Sequence, residues 1–304
     1  MSAINALNYI TFLYKGDKGK IVRKGVMKIV RKGVIIFVVF VLLGSSQLTM
    51  GAGEPRVIGG RAAGMCGISV AATDPWSAAN NQAANAWNKG ILCGVYFEDR
   101  YLLKELSYKA LVFSACTKQG VFSASCMQFG SEVYSELKSG ISYARKFGKS
   151  FSAGIQLDYY RFSISEDYGS KNILNCELGL LFRPGKQVWI GFHCINPVPV
   201  KLSQTSGESL PTLIQLGLAY YFTEDLMLSA EIEKDPVSKA CARIGGECRF
   251  AKILSARAGF ATGPFRFSFG AGIVMKRFTV DIASEYSQAL GFSPAVSIQY
   301  EFRK

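Results

Sequence analysis

From about Leu102 to the last residue, apolar and polar side chains alternate along the chain. The final segment shows it best: Val296, Ile298, Tyr300 and Phe302 share one face, and Ser297, Gln299, Glu301 and Arg303 the other. Successive side chains of a strand point to opposite faces, so this reads as a strand with one apolar and one polar side. The same rhythm predicts strands near 294–303, 276–286, 265–274, 252–261, 239–250, 226–234, 211–222, 187–196, 172–183, 150–163 and 136–147, with three more upstream at about 91–97, 102–116 and 119–130. That makes fourteen, with twelve as the competing count. An even number puts both chain ends at the same end of the sheet.

The connections sort by side. They are short at 147–149, 184–186, 223–225, 251–252 and 275–276, intermediate at 234–238 and 261–264, and longer at 163–172, 197–210 and 287–293. Short periplasmic turns and longer outer loops mark a transmembrane β-barrel. A soluble antiparallel sandwich shares the two-residue period but has no reason to sort its turns. Pro55, Pro75, Pro184, Pro197, Pro199, Pro211, Pro236, Pro264 and Pro294 all fall in predicted turns or strand ends. Proline cannot donate to a ladder, so this agreement is independent of the alternation. No stretch past residue 45 is apolar for long enough to span as a helix.

Two segments break the rhythm. Residues 1–52 carry Lys15, Lys18, Lys20, Arg23, Lys24, Lys28, Arg31 and Lys32, then an apolar run from Val34 to Leu43 and small residues at Met50-Gly51-Ala52. A basic start, a short apolar run and a small-residue exit predict a cleaved signal peptide, with Met27 a plausible true start. The alternative is an uncleaved anchor. Residues 53–90 are rich in small side chains (Gly59, Gly60, Ala62, Ala63, Gly64, Gly67, Ala71, Ala72). Asp74 and Pro75 suit a helix start, and Ser77 to Trp87 reads as a short helix. Small residues suit a hatch tucked into a narrow lumen; a first barrel strand followed by a loop helix is the competing reading. The expected fold is therefore all-β: a transmembrane antiparallel barrel of about fourteen strands over 91–304, with a small N-terminal hatch or plug over 53–90 containing a short helix.

Charge changes the picture less than it first suggests. The 304 residues carry a net charge of +13. Without residues 1–52 the balance is 27 Lys+Arg against 21 Asp+Glu, or +6. The mature chain has no basic run that would track a phosphate backbone, so no nucleic-acid partner is expected. Eight cysteines are present but no C-x-x-C pair, which argues against zinc ribbons and thioredoxin-type sites. Cys176, Cys194 and Cys248 fall on apolar strand faces, where thiols act as small hydrophobes. No cofactor is expected.

Strand parity turns Asp158, Glu177, Glu231, Glu233, Arg243, Glu247, Arg249, Arg257, Asp281 and Glu285 inward, with Trp189 and His193 beside them. These residues form either a charge-lined path or a cross-strand ion-pair network that fills the lumen. The second reading is preferred, because small barrel interiors are packed by side chains. A lone histidine builds neither a metal site nor a triad, and no G-x-S-x-G motif accompanies it, so no enzyme is expected. Tyr159, Tyr160, Phe162, Tyr220, Tyr221, Phe222, Phe250, Phe260, Tyr286, Tyr300 and Phe302 lie near strand ends, where interface girdles belong. Of these, Tyr221 faces inward by parity.

Arg61-Ala62-Ala63-Gly64-Met65-Cys66-Gly67-Ile68-Ser69-Val70-Ala71, followed by Asp74 to Ala86, resembles the opening of FadL/PorV-type outer-membrane barrels. Asn81-Gln82-Ala83-Ala84-Asn85 stands where that family has an N-P-A-G-L pattern. Gln82 replaces its proline and Cys66 one of its glycines. The overall flavour resembles members from Bacteroidetes. The resemblance covers about 30 residues and implies a fourteen-stranded barrel with a hatch in the lumen. Asn80, Asn81, Gln82 and Trp87 then become hatch candidates. In the FadL branch such barrels pass hydrophobic small molecules; in the PorV branch they serve type IX secretion as a docking platform. Three roles are thus expected: a passive conduit for hydrophobic or amphipathic molecules, a platform for secretion-system proteins, or a structural barrel with a packed lumen. Each sits in outer-membrane lipid, and a conduit would admit ligand past loops 163–172, 197–210 and 287–293.

Overall fold

The structure is a computed structural model and describes residues 55–164, 169–198, 200, 210–236 and 239–303. The predicted signal peptide, residues 165–168 and most of the connection at 201–209 lie outside the described residues.

Fourteen antiparallel strands close into a barrel. They are β1 (Ile91–Asp99), β2 (Ser107–Cys116), β3 (Val121–Gly130), β4 (Tyr134–Phe147), β5 (Phe151–Ile164), β6 (Ser170–Phe182), β7 (Val188–Ile195), β8 (Leu213–Tyr221), β9 (Leu226–Lys234), β10 (Cys241–Phe250), β11 (Leu254–Ala261), β12 (Arg266–Met275), β13 (Phe278–Ser287) and β14 (Gly291–Arg303). Each pairs with the next, and β1 closes on β14 in a register that sets Val95 opposite Ile298. Closure leaves no unpaired edge, which is what lets strands cross a bilayer. Fourteen strands, not twelve, are present.

Alternation maps onto the two faces. Ile141, Leu157, Leu174 and Ile282 are exposed on the outside, while Gln156, Asp158, Glu177 and Asp281 are buried within. Aromatic residues edge the apolar band at both ends. Phe147 meets Phe151 at 6.1 Å and Phe278 meets Tyr300 at 4.6 Å near the end carrying residues 91 and 303. Tyr286 meets Phe292 at 4.8 Å near the other end. Tyr160 and Phe162 do not belong to these girdles. They face the lumen, because inward parity runs through Gln156 and Asp158.

Three boundaries differ from the sequence reading. The second strand starts at Ser107, not 102, because Tyr101 and Leu102 both take a left-handed φ of 58° and residues 100–106 coil as two 3-10 turns. The last strand starts at Gly291, so residues 288–290 form a tight turn where a long loop over 287–293 was expected. Pro294 consequently lies inside β14, opposite Ser284, and among the described residues is the one proline that departs from the turn-and-end rule. The helix over 77–87 is two single turns, α2 (Ser77–Asn80) and α3 (Gln82–Asn85), after an earlier turn α1 (Gly60–Ala63). The break is at Asn81, whose extended backbone (φ −161°) lets its side chain cap α3 by accepting from Ala83 N at 3.2 Å. Asp74 accepts from Trp76 N at 3.0 Å, forming a turn ahead of α2.

Residues 55–90 fill the barrel as a plug. Its backbone lies so close to the wall that strands turn glycine toward it. A Cβ on Gly191 would meet the Val70 carbonyl, and one on Gly259 the Met65 backbone.

Candidate functional site

The plug seats on the wall through buried polar groups. Gln82 Nε2 donates to Glu177 Oε2 at 2.8 Å and to Gln156 Oε1 at 3.1 Å. Asn81 Nδ2 donates to Val70 O at 2.6 Å and Leu180 O at 3.4 Å. Asn80 pairs both ways with the Ile58 backbone, at 2.8 and 3.1 Å, and so holds the plug to itself. Asn85 reaches Ser114 and Ser123 on β2 and β3, at 3.1 and 2.6 Å. Trp87 Nε1 donates to Ser152 Oγ at 2.9 Å, and that hydroxyl donates to Ala83 O at 2.7 Å. Glu231 Oε2 accepts the backbone N–H of both Ser69 and Val70, at 3.0 and 3.1 Å. These contacts satisfy plug backbone that no regular element serves.

The inward charges join into networks. In the first, Lys138 Nζ lies 2.5 Å from Glu177 and 3.5 Å from Asp158. Glu177 also meets His193 Nε2 at 3.0 Å, His193 Nδ1 meets Gln215 at 3.1 Å, and Gln215 donates to Glu233 at 2.8 Å. Arg243 closes the chain, bonding Glu231 at 3.0 Å and Glu233 at 2.7 Å. In the second, Glu247 holds Arg61 of the plug at 2.9 Å and Arg257 at 2.7 Å, and Arg257 holds Asp281 at 2.6 Å. Arg249 reaches Glu247 only at 3.4 Å and its side chain is 40% exposed, so it belongs to the rim. A third set pairs Glu285 with Arg266 at 3.0 Å and Glu98 with Arg56. The fifteen sequence-predicted site residues thus fall into plug contacts, networks and rim, and none lies on the lipid face.

Plug electrostatics follow from burial and partners. Burial opposes the charge on Arg61, but Glu247 and Asp74 outweigh it and hold its pKa well above the ordinary value. Burial raises the Asp74 carboxyl, with Arg61 opposing. Burial pushes the Cys66 thiol up to about 12, so it is no nucleophile. All eight cysteines are free thiols. Among the described residues no three His, Cys, Asp or Glu side chains converge as a metal-ligating set.

Toward the end remote from the chain termini the lumen opens. A small cleft stands against the plug at Val57 and Asn80. Tyr108, Met127, Tyr160 and Ile195 form its apolar side, and Lys138 and His193 its polar side. Phe162, Ile173 and Leu210 pack beside Tyr160, with Val200 against them. Asn196 Nδ2 donates to Leu210 O at 2.7 Å beside this cluster. A second cleft lies against the same plug residues 55–57, among Glu98, Arg243, Arg266 and Glu285.

Sequence reasoning missed Lys138, Gln156, Gln215 and Asn85. Lys138 and Gln156 share the inward parity of Asp158, and that parity was the available signal. The tight wall glycines carry no such signal, since a strand glycine reads the same on either face.

No protein-family model and no curated protein matches this chain. Solved structures do resemble it. The CymD monoaromatic hydrocarbon channel superposes with a TM-score of 0.65 at 12% identity, over 81% of this chain and 98% of that one. A Pseudomonas aeruginosa FadL homologue gives 0.62 at 14% identity, over 80% and 98%. The Pseudomonas putida toluene transporter TodX gives 0.63 at 12% identity, over 81% and 99%. At such identities the likeness is one of fold.

Proposed function

We propose that this chain is a passive outer-membrane conduit for hydrophobic or amphipathic small molecules. The observation that carries the reading is the cavity with an apolar wall of Tyr108, Met127, Tyr160 and Ile195, standing directly on the plug. An apolar wall facing convergent polar groups, here Arg56, Glu136, Lys138, His193 and Gln215, suits an amphipathic small molecule. The fold adds support, because CymD is a monoaromatic hydrocarbon channel and TodX a toluene transporter. No chemistry is asked of the protein. A ligand enters past Ile195 and Leu210, rests its apolar part on Tyr160 and Met127, and leaves when the plug shifts from its seat. The seat combines hydrogen bonds and ion pairs with apolar packing of Ile58, Trp76, Met65 and Ile68 on the wall, so opening a path requires these to be released together.

The test is uptake of a radiolabelled apolar probe such as toluene by intact host cells with and without the protein. Faster uptake, reduced by Tyr160→Ala with the barrel still assembled, is expected. Equal uptake in both cells overturns the reading. A structural barrel is the second reading, favoured by the completely buried Glu177 and Asp281 in continuous networks. The secretion-platform reading gains no support, because a docking surface needs substantial outer loops and β13–β14 is joined by residues 288–290 alone.

A further inference from the structure

The eight cysteines divide by face. Cys93, Cys126, Cys176, Cys194 and Cys248 take outward positions in β1, β3, β6, β7 and β10. Cys116 turns inward at the last position of β2, beside Gly90 at the end that carries the chain termini. The remaining two meet at the opposite end. Cys66 of the plug and Cys241, the first residue of β10, form one buried cluster with Ala261 of β11. Both line the second cleft. Their sulfurs rest on the same hairpin, β11–β12: Cys66 Sγ lies 3.7 Å from Arg266 O, and Cys241 Sγ lies 2.7 Å from Thr262 O. Ala261 and Arg266 face each other across that hairpin. Among the described residues no other thiol shares a buried cluster with Cys66.

Cys66 is held in a costly backbone. Its φ of 55° lies in the left-handed region, which favours glycine. Gly67 follows with φ 82°, so the chain turns sharply here. A cysteine at the first of these two positions carries its sulfur to the wall hairpin, and a thiol that served only as filling would need no such strain. We propose that Cys66 and Cys241 form a disulfide in the assembled barrel, fastening the plug to β10. The inference goes beyond the conduit reading and does not depend on it. Outside the reducing cytosol such bonds form and persist. The bond closes by two exchanges with an external disulfide, carried by a protein oxidase or a small molecule. A thiolate of the pair attacks one sulfur of that disulfide, making a mixed disulfide and expelling one thiolate. The second cysteine gives its proton to water and attacks the mixed disulfide, closing the Cys66–Cys241 bond and expelling the other thiolate. Two protein thiols are oxidised, and the external disulfide is reduced to two thiols. Exchange needs access and a thiolate, and Cys66 in its seat is buried. The bond therefore closes before the plug is fully seated, and burial then shields it from reductants.

The first test needs no variant. The protein is taken from the outer membrane of its expressing host into acid, which stops exchange, then denatured, alkylated with N-ethylmaleimide without reductant, and digested. The expected result is a linked peptide pair carrying Cys66 and Cys241, two hydrogens lighter than the separate thiol peptides, with the other six of the eight cysteines alkylated. Alkylated, unlinked Cys66 and Cys241 overturn the proposal, and so does a bond from either one to another cysteine. A Cys66–Cys241 bond that appears only after oxidation with copper–phenanthroline also overturns it, since only proximity would then have been shown. The fastening is read separately by limited proteolysis in mild denaturant. Dithiothreitol should speed cutting within residues 55–90 by about tenfold in the parent and leave Cys241→Ser unchanged. An equal effect on both proteins overturns the fastening. Should Cys241→Ser not assemble, the parent alone decides: no change in cutting once the bond is reduced overturns it. A bond without toluene uptake sinks the conduit and keeps the disulfide; uptake with both thiols free does the reverse.

Discussion

At the residue scale, Glu231 shows how wall and plug depend on each other. It accepts two plug N–H groups on one oxygen and the Arg243 guanidinium on the other. Breaking a buried pair leaves a charge without a partner and costs about 3–5 kcal/mol. Glu231→Ala should therefore lower the denaturant midpoint of the folded, heat-modifiable barrel by that order, and Glu231→Gln, which keeps the acceptor, should lower it less. Equal stability of all three proteins would mean that water replaces the carboxylate. That Glu231 points inward was legible from parity. Its service to the plug backbone was not, because nothing in a strand's alternation records what occupies the lumen.

At the element scale, the plug is single helical turns and loops, and its position is set by the wall. Helices this short have no stability of their own in water. The seat is kept by close backbone contact, so one methyl group in the wrong place should unseat it. Gly259→Ala drives a Cβ into the Met65 backbone, whereas Gly246→Ala on the lipid face meets the Leu228 side-chain end at 2.9 Å and Met227 O at 3.3 Å. Overpacking of this kind costs about 1–3 kcal/mol. Limited proteolysis should accordingly cut residues 55–90 faster in Gly259→Ala than in the parent, while Gly246→Ala behaves as the parent. The same logic explains the helix that sequence reading drew too long. Ala-rich and Asn-rich residues favour one continuous helix locally, but Asn81 is used to bond Val70 and Leu180, which requires extended backbone.

At the scale of the whole molecule, the barrel and its filling have separate roles. The wall's ladder of hydrogen bonds is complete without the plug, while the lumen's networks are not: removing the plug deprives Glu177 of Gln82 and Glu247 of Arg61. A variant lacking residues 58–88 should still insert, show a steady conductance in planar bilayers where the parent is silent, and unfold at lower denaturant. A silent deletion variant would mean that the wall collapses inward.

The period of two determined much by itself. It assigned the lipid-facing and lumen-facing residues and the inward set of acids and bases, because each follows from the pleat alone, but it left twelve strands competing with fourteen, which closure of β1 on β14 decided. The small-residue segment before the first strand announced a plug for a similarly local reason: only small side chains fit a crowded lumen. Parity says which face a residue takes but not its level along the barrel axis or its neighbours across the lumen. Those depend on the stagger of fourteen strands and on β1 closing against β14. Tertiary structure alone therefore decided that Glu177 gathers Lys138, His193 and Gln82, that Tyr160 lines a cavity where a girdle was expected, and that Lys146 meets Trp87 of the plug, since contacts across a closed sheet are set by register and closure.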